Sequence, residues 1–355
     1  MYVGRLKSLL VPVLAVILIM LVLNMKGPAN VLQQIEVHGN LLHLGQRDFA
    51  FVGTARTFNW MLNYTKYLVA AYSPTKGHVN PHNFKLVLDE PMACMDPKTE
   101  TPKPVLLLVL VASIHRNFKR RQAIRETWGS LKQLAGLPIV TLFLLGDRGD
   151  PSLHKRVLEE SLQHHDLLME DFVDTYRNLT LKTMMAMKWA STHCPQASFV
   201  MKTDDDMFVS YQNLLDYVTV LDPPRIDLAF GLVIAGEAPI RDKGSKWYMP
   251  QDVFPGNLYP PWLSGGGFVL SGDVPGKIYA ASLEARYLHL EDVFVGLCLE
   301  KLNVKPIMNR QFSNLHIKYS YCRFRYVITA HSYGPDQLRT MWKELLIQKP
   351  CWPWT

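Results

Sequence analysis

Phe199-Val200-Met201-Lys202-Thr203-Asp204-Asp205-Asp206 is the stretch on which the reading of this chain turns. A short, mainly apolar run reads as a buried strand, and three consecutive carboxylates end it. Such carboxylates repel one another unless something positive offsets them. A hard divalent cation with oxygen ligands is a natural counter-charge, and it can bridge to a diphosphate at the same time. In extended backbone Asp204 and Asp206 point to one side and Asp205 to the other, so two carboxylates face the cation and the middle one faces elsewhere. A solvated acidic turn is the bland alternative. The apolar Met207-Phe208-Val209 that follows argues against it.

Working outward, Val105-Leu106-Leu107-Leu108-Val109-Leu110-Val111 is a continuous apolar run that fits a strand buried on both faces. A second such run is Ile139 to Leu145, closed by Gly146-Asp147. Polar or periodic segments between the strands, about Lys119 to Leu131, Leu153 to His164 and Leu181 to His193, read as helices. Strands alternating with helices predict an α/β fold with a mostly parallel, doubly wound sheet. In such sheets ligands sit beyond the carboxyl ends of the strands, where the acidic triplet falls.

The chain has 355 residues, 48% of them hydrophobic, which is enough for one large domain with a deep core. Its formal charge of +7 is spread out. Lys119-Arg120-Arg121 is the one basic cluster, so no nucleic-acid partner is expected. Arg5 and Lys7 precede an apolar stretch from Leu9 to Leu23, and no clean small-x-small cleavage site follows it. This predicts a signal anchor with a cytoplasmic N-terminus. The organisation is then a tail at 1–7, a transmembrane helix at 8–25, a luminal stem at 26–104 and a globular head at 105–355. Cys94, Cys194, Cys298, Cys322 and Cys351 all follow the anchor. In an oxidising lumen some pair, and the odd count leaves one over; spacing does not say which. Two glycosylation acceptors occur, at Asn63 and Asn178. Asn63 lies in the stem and is the better site, whereas Thr180 reads as the cap of a helix near the ligand edge.

Further motifs follow in order: Arg120-Arg121-Gln122-Ala123-Ile124-Arg125-Glu126-Thr127-Trp128-Gly129; Phe143-Leu144-Leu145-Gly146; and Glu170-Asp171-Phe172-Val173-Asp174-Thr175-Tyr176-Arg177-Asn178-Leu179-Thr180-Leu181-Lys182-Thr183. After Lys202-Thr203-Asp204-Asp205-Asp206 come Lys246-Trp247-Tyr248-Met249-Pro250, Tyr259-Pro260-Pro261, Ser264-Gly265-Gly266-Gly267 and Glu291-Asp292-Val293-Phe294-Val295-Gly296. Each is weak alone. Together, from Val105 to Cys351, the chain resembles the secretory-pathway β1,3-galactosyltransferases and β1,3-N-acetylglucosaminyltransferases.

That resemblance implies a single GT-A-like, Rossmann-type glycosyltransferase domain in the Golgi membrane, type II, with its head in the lumen. It implies a manganese ion and a UDP-sugar donor. Asp206 and His331 are then metal ligands, and Asp204 and Asp205 belong to the donor-binding element. Asp292 is the general base that takes the acceptor proton, with Glu291 beside it at the acceptor; either carboxylate could also simply cap the helix that follows. Arg121 and Arg125 share one helical face at the start of the segment after the first strand, and donor contact competes there with a solvated basic face. Asp174 and Lys182 lie in the family's donor-side stretch. Trp247 and Tyr248 offer flat faces for a sugar, against core packing. Gly265 and Gly266 let backbone approach a sugar closely, against a tight turn alone.

The donor sugar is divided between branches. Leu263-Ser264-Gly265-Gly266-Gly267 stands where many galactosyl members carry Cys-Ser-Gly-Thr-Gly, and is similar to the N-acetylglucosaminyl branch. Lys246 to Pro250 and Leu290 to Leu302 are similar to the galactosyl branch. The expected reaction is transfer of galactose from UDP-galactose to the 3-hydroxyl of a terminal sugar, GlcNAc first, on glycoprotein or glycolipid. UDP-GlcNAc is the alternative donor. A catalytically silent glycan-binding protein is the rival of another class, and the lack of a His-Glu-x-x-His spacing disfavours a metal-dependent hydrolase.

Overall fold

The computed structural model describes residues 79–351 apart from 148, 223, 224 and 348. The expected anchor and Asn63 lie outside the described residues. Within them no helix is long and apolar enough to cross a membrane.

The chain runs β1 (Leu86–Leu88), β2 (Val105–Ala112), α1 (Phe118–Glu126), β3 (Gln133–Leu134), β4 (Leu137–Asp147), α2 (Pro151–His164), β5 (Leu167–Val173), α3 (Leu179–His193) and β6 (Ala197–Asp204). It continues through β7 (Met207–Val209), α4 (Tyr211–Thr219), β8 (Ala229–Ile234), β9 (Trp262–Ser271), α5 (Val274–Leu283), α6 (Glu291–Lys301) and β10 (Ile307–Met308). Last come α7 (Tyr321–Phe324), β11 (Thr329–His331) and α8 (Pro335–Leu345).

The main sheet has the order β1-β5-β4-β2-β6-β9-β8-β10, with β3 folded back on β4. From β5 to β6 the neighbours are parallel, as their apolar runs predict. All eight residues of β2 are buried because helices cover both faces. One core cluster, with Met184, Met185 and Trp189 of α3 and Phe294 of α6, fills one face. The other face carries Ile124, Trp128, Leu214 and Leu338, from α1, the turn after it, α4 and α8.

The sheet is mostly parallel, as expected, and mixed at one side because β9 runs antiparallel to both β6 and β8. The glycine run, expected as a close backbone approach or a tight turn, is the middle of that ten-residue strand. The head begins before Val105. β1 pairs with β5, and Cys94 is bonded to Cys194 just beyond α3. Residues 86–94, assigned to the stem by their lack of period, thus add an edge strand and a cross-link to the domain. Cys322 pairs with Cys351, and Cys298 is the free, buried fifth cysteine.

Candidate active site

Successive connections from β2 lead one way to β4 and β5, and the chain then returns to place β6 on the other side of β2. The β2–β6 junction is therefore the switch point of the sheet, where a crevice opens at the carboxyl ends. Ala112 sits opposite Asp204 at that end. The strand stops at Asp204, and the three carboxylates part company.

Asp205 turns inward. It is buried, and accepts hydrogen bonds from Ser113 Oγ (2.6 Å) and Asn117 Nδ2 (2.8 Å). Burial raises its pKa, which those two donors oppose. Asp204 turns toward α6: the buried Lys202 Nζ lies 2.8 Å from Asp204 Oδ1, 3.3 Å from Glu291 Oε1 and 2.7 Å from the Gly265 carbonyl. Desolvation disfavours a charged Lys202, but Asp204 and Glu291 outweigh it and raise the ammonium pKa. One buried cation thus ties the acidic turn to the start of α6.

Asp206 turns the third way. Its Oδ1 lies 3.5 Å from His331 Nε2, and its Oδ2 lies 3.4 Å from Arg120 Nη1. The pairing of β7 with β11 sets His331 across from Met207, and Tyr333 N donates to the Asp206 carbonyl at 3.0 Å. Segments 125 residues apart are thereby locked in register. One carboxylate oxygen and one imidazole nitrogen, both partly exposed, converge on a single spot. This donor set fits a manganese-type ion, with the remaining positions left for oxygen ligands.

Asp292 stands in the first turn of α6, where the helix dipole favours a carboxylate. Its Oδ1 accepts from Val293 N at 2.8 Å. Burial raises its pKa and that of Glu291; Lys202 opposes both shifts. The Trp262 indole N–H lies beside the Asp292 carboxyl and opposes the rise in its pKa. Burial and the charges of Glu291, Asp292 and Asp204 raise the pKa of the half-exposed Tyr176, and Trp247 lies beside it. Lys246 Nζ stands 4.5 Å from the Trp247 ring centroid. The mouth of the crevice is thus a carboxylate pair with flat aromatic faces over it. Tyr248 forms a bridge with Ile240 in the same loop.

A family model described as Galactosyltransferase matches residues 119–310. Over 274 residues the chain is 46% identical to Beta-1,3-galactosyltransferase 1 of Homo sapiens and of Mus musculus, covering 76% of this chain and 81% of theirs. The chain belongs to the galactosyltransferase family. It is a hexosyltransferase with an α/β fold, and a nucleotide-sugar donor follows from the family. Beta-1,3-galactosyltransferase 2 of Homo sapiens is 41% identical over 275 residues, 76% of this chain and 64% of that one.

Within this galactosyltransferase several expected site residues are builders instead. Arg121 is fully buried. Its five N–H groups reach Glu160 Oε1 and Oε2, Ser113 Oγ and the carbonyls of Ile114 and His115, so none remains for a donor. Arg125 pairs with both Asp166 oxygens and with Glu160. The two arginines do share a helical face, but α2 covers it. Lys182 is spent on Asp174 and the Ser113 carbonyl, a buried pair that props up the loop after β2. A Cβ on Gly265 would come within 2.6 Å of Glu291 Oε1, so that glycine makes room for a carboxylate rather than a sugar. Gly266 faces Met207. Thr180, expected as a cap, donates to the Leu288 carbonyl and is buried, and Asn178 Nδ2 donates to the Val173 carbonyl. Trp128, read as core from the sequence, is core, its Nε1 donating to the Met207 carbonyl.

Three residues at the site were not singled out from sequence: Lys202, Arg120 and Tyr176. Each lies inside a quoted motif. A lysine two residues before an aspartate on a strand shares its face, which was the available signal for Lys202. Choosing Arg120 over Arg121 needs the rotation of α1 about its axis, which the sequence does not give.

Proposed function

We propose that this galactosyltransferase transfers galactose from UDP-galactose to the 3-hydroxyl of a terminal sugar, with GlcNAc the expected acceptor, by one inverting displacement. The observation that carries the reading is the bridge from Asp204 through Lys202 to Glu291, which sets the acidic turn and the Asp292 carboxylate at one crevice.

Asp206 and His331 would hold the manganese ion, which when bound supplies positive charge against the donor diphosphate. Arg120 adds a second positive charge at that end. Asp292 accepts the proton of the acceptor hydroxyl; its raised pKa makes it a stronger base than a solvent-exposed aspartate. The hydroxyl oxygen bonds to the anomeric carbon as the bond to the diphosphate breaks on the opposite face, so an α-linked donor gives a β product. Trp247 and Tyr176 pack against sugar faces and keep water from the reacting carbon. Two disulfides support an oxidising compartment, in keeping with a luminal head anchored in the Golgi membrane.

UDP-GlcNAc remains the second donor, favoured by the run Gly265-Gly266-Gly267. The test is transfer by the full chain in detergent, offered each nucleotide sugar and a panel of acceptor sugars, with and without a chelator. Galactose transfer to a GlcNAc-terminated acceptor that stops on chelation is expected. Transfer from UDP-GlcNAc alone, or transfer indifferent to chelation, would overturn the donor or the metal assignment respectively.

A further inference from the structure

The carboxyl end of β4 carries a second cluster with metal-ligating chemistry. His115 lies in the loop after β2, Asp147 ends β4, and His154 lies on α2. One ligand atom from each falls within 4.8 Å of the others. His115 is completely buried, yet neither of its ring nitrogens has a hydrogen-bond partner among the described residues. Buried imidazoles ordinarily satisfy at least one nitrogen, since an unmade hydrogen bond forfeits the solvation lost on burial. A ligand in this place would relieve that deficit.

The backbone around the cluster is fixed. Arg121 Nη2 donates to the His115 carbonyl, and Asp174 N donates to the Asp147 carbonyl. Gly149 N holds Asp147 Oδ1 at 3.0 Å. The Asp147 and His154 side chains are each about a third exposed, with His154 Nδ1 at 3.9 Å from Asp147 Oδ1. Tetrahedral zinc bonds of ~2.0–2.1 Å place ligand atoms roughly 3.3 Å apart. Rotations of two side chains that face solvent close that gap without moving the strands.

We infer that His115, Asp147 and His154 form a binding site for a borderline transition-metal cation of the zinc(II) type, separate from Asp206 and His331. Two imidazoles and one carboxylate make a three-ligand set with one position open to water. A cation there clamps the loop after β2 to the start of α2, next to the Ser113 that holds Asp205.

The test is calorimetric titration of zinc(II) into the metal-stripped full chain in detergent, for wild type and for His154→Ala, Asp147→Asn and Asp206→Asn. Asparagine at 147 can still accept from Gly149 N, so that variant keeps the local turn. The expected result is one equivalent of zinc that persists in Asp206→Asn and binds at least ~10-fold more weakly, or not at all, in each of the other two. Wild-type affinity in both His154→Ala and Asp147→Asn would overturn the site. So would loss of that equivalent in Asp206→Asn, because the ion would then sit at Asp206 and His331.

Discussion

Arg120 and Arg121 are neighbours in the chain and opposites in use. Arg121 points under α2, where its five donors meet five acceptors and nothing is left over. Arg120 points at the rim, 3.4 Å and 3.6 Å from Asp206 and Asp205, with Nη1 lacking a true hydrogen bond among the described residues. The same contrast separates two regions of the molecule. Between α1, α2 and α3, the groups Arg121, Arg125, Glu160, Asp166, Asp174 and Lys182 saturate one another. Around β6, α6 and β11, the carboxylates of Asp204, Asp206 and Asp292 keep lone pairs free and line a crevice. Saturated charge builds the frame; unsaturated charge is held by that frame for a ligand.

The comparison breaks most sharply at Asp206. Replacement by Asn is expected to lower the initial rate of galactose transfer by ~10³-fold or more, since a charge is lost at the diphosphate end. Its urea unfolding midpoint should stay close to wild type. A rate within tenfold of wild type would place the diphosphate elsewhere.

Arg121→Met is the mirror case. It leaves Glu160 buried with one fewer partner and strands three acceptors in the loop after β2, so a loss of about 3–5 kcal/mol is expected in urea unfolding. Arg120→Met, at a partly exposed ion pair, should cost under ~1 kcal/mol while weakening donor binding. Equal stability losses in the two variants would dissolve the distinction.

Smaller again is Trp247→Ala. Loss of a half-exposed ring at the mouth is expected to raise the acceptor KM roughly 3–10-fold with kcat little changed. A drop confined to kcat would move Trp247 from binding to the reacting centre.

The smallest effect is on stability against pH. Burial raises the Asp292 pKa in the folded chain, so the wild-type carboxyl favours folding below its unfolded pKa and loses that advantage as pH rises through its folded value. Asp292→Asn does not titrate there. Its melting temperature should therefore exceed that of wild type near neutral pH, with the gap closing as the solution is made acidic. A gap that widens on acidification would reverse the sign of the shift.

Much of the frame was readable because buried parallel strands are apolar without interruption. Val105–Val111 and Ile139–Leu145 declare themselves that way, and the acidic triplet marks where the crevice lies. β9 did not, since Ser264-Gly265-Gly266-Gly267 carries no β-branched signal, and Gly265 is there to admit Glu291. β1 is three residues long and lacks the length to show a period, and its tie through Cys94 depends on a pairing that spacing leaves open. Asp206 and His331 were named from family likeness, and the β7–β11 register is what brings them together. Arg121 and Arg125 were assigned by distance along a helix, which fixes that they share a face but not which way that face looks. Burial decided against them.

The most direct measurement pairs UDP-galactose binding by calorimetry with single-turnover transfer in the Asp292→Asn chain. Donor affinity within about twofold of wild type, together with a transfer step slowed by ~10³-fold or more, is the predicted result. Transfer at the wild-type rate would contradict Asp292 as base, and loss of donor binding would put that carboxylate at the nucleotide instead of the acceptor.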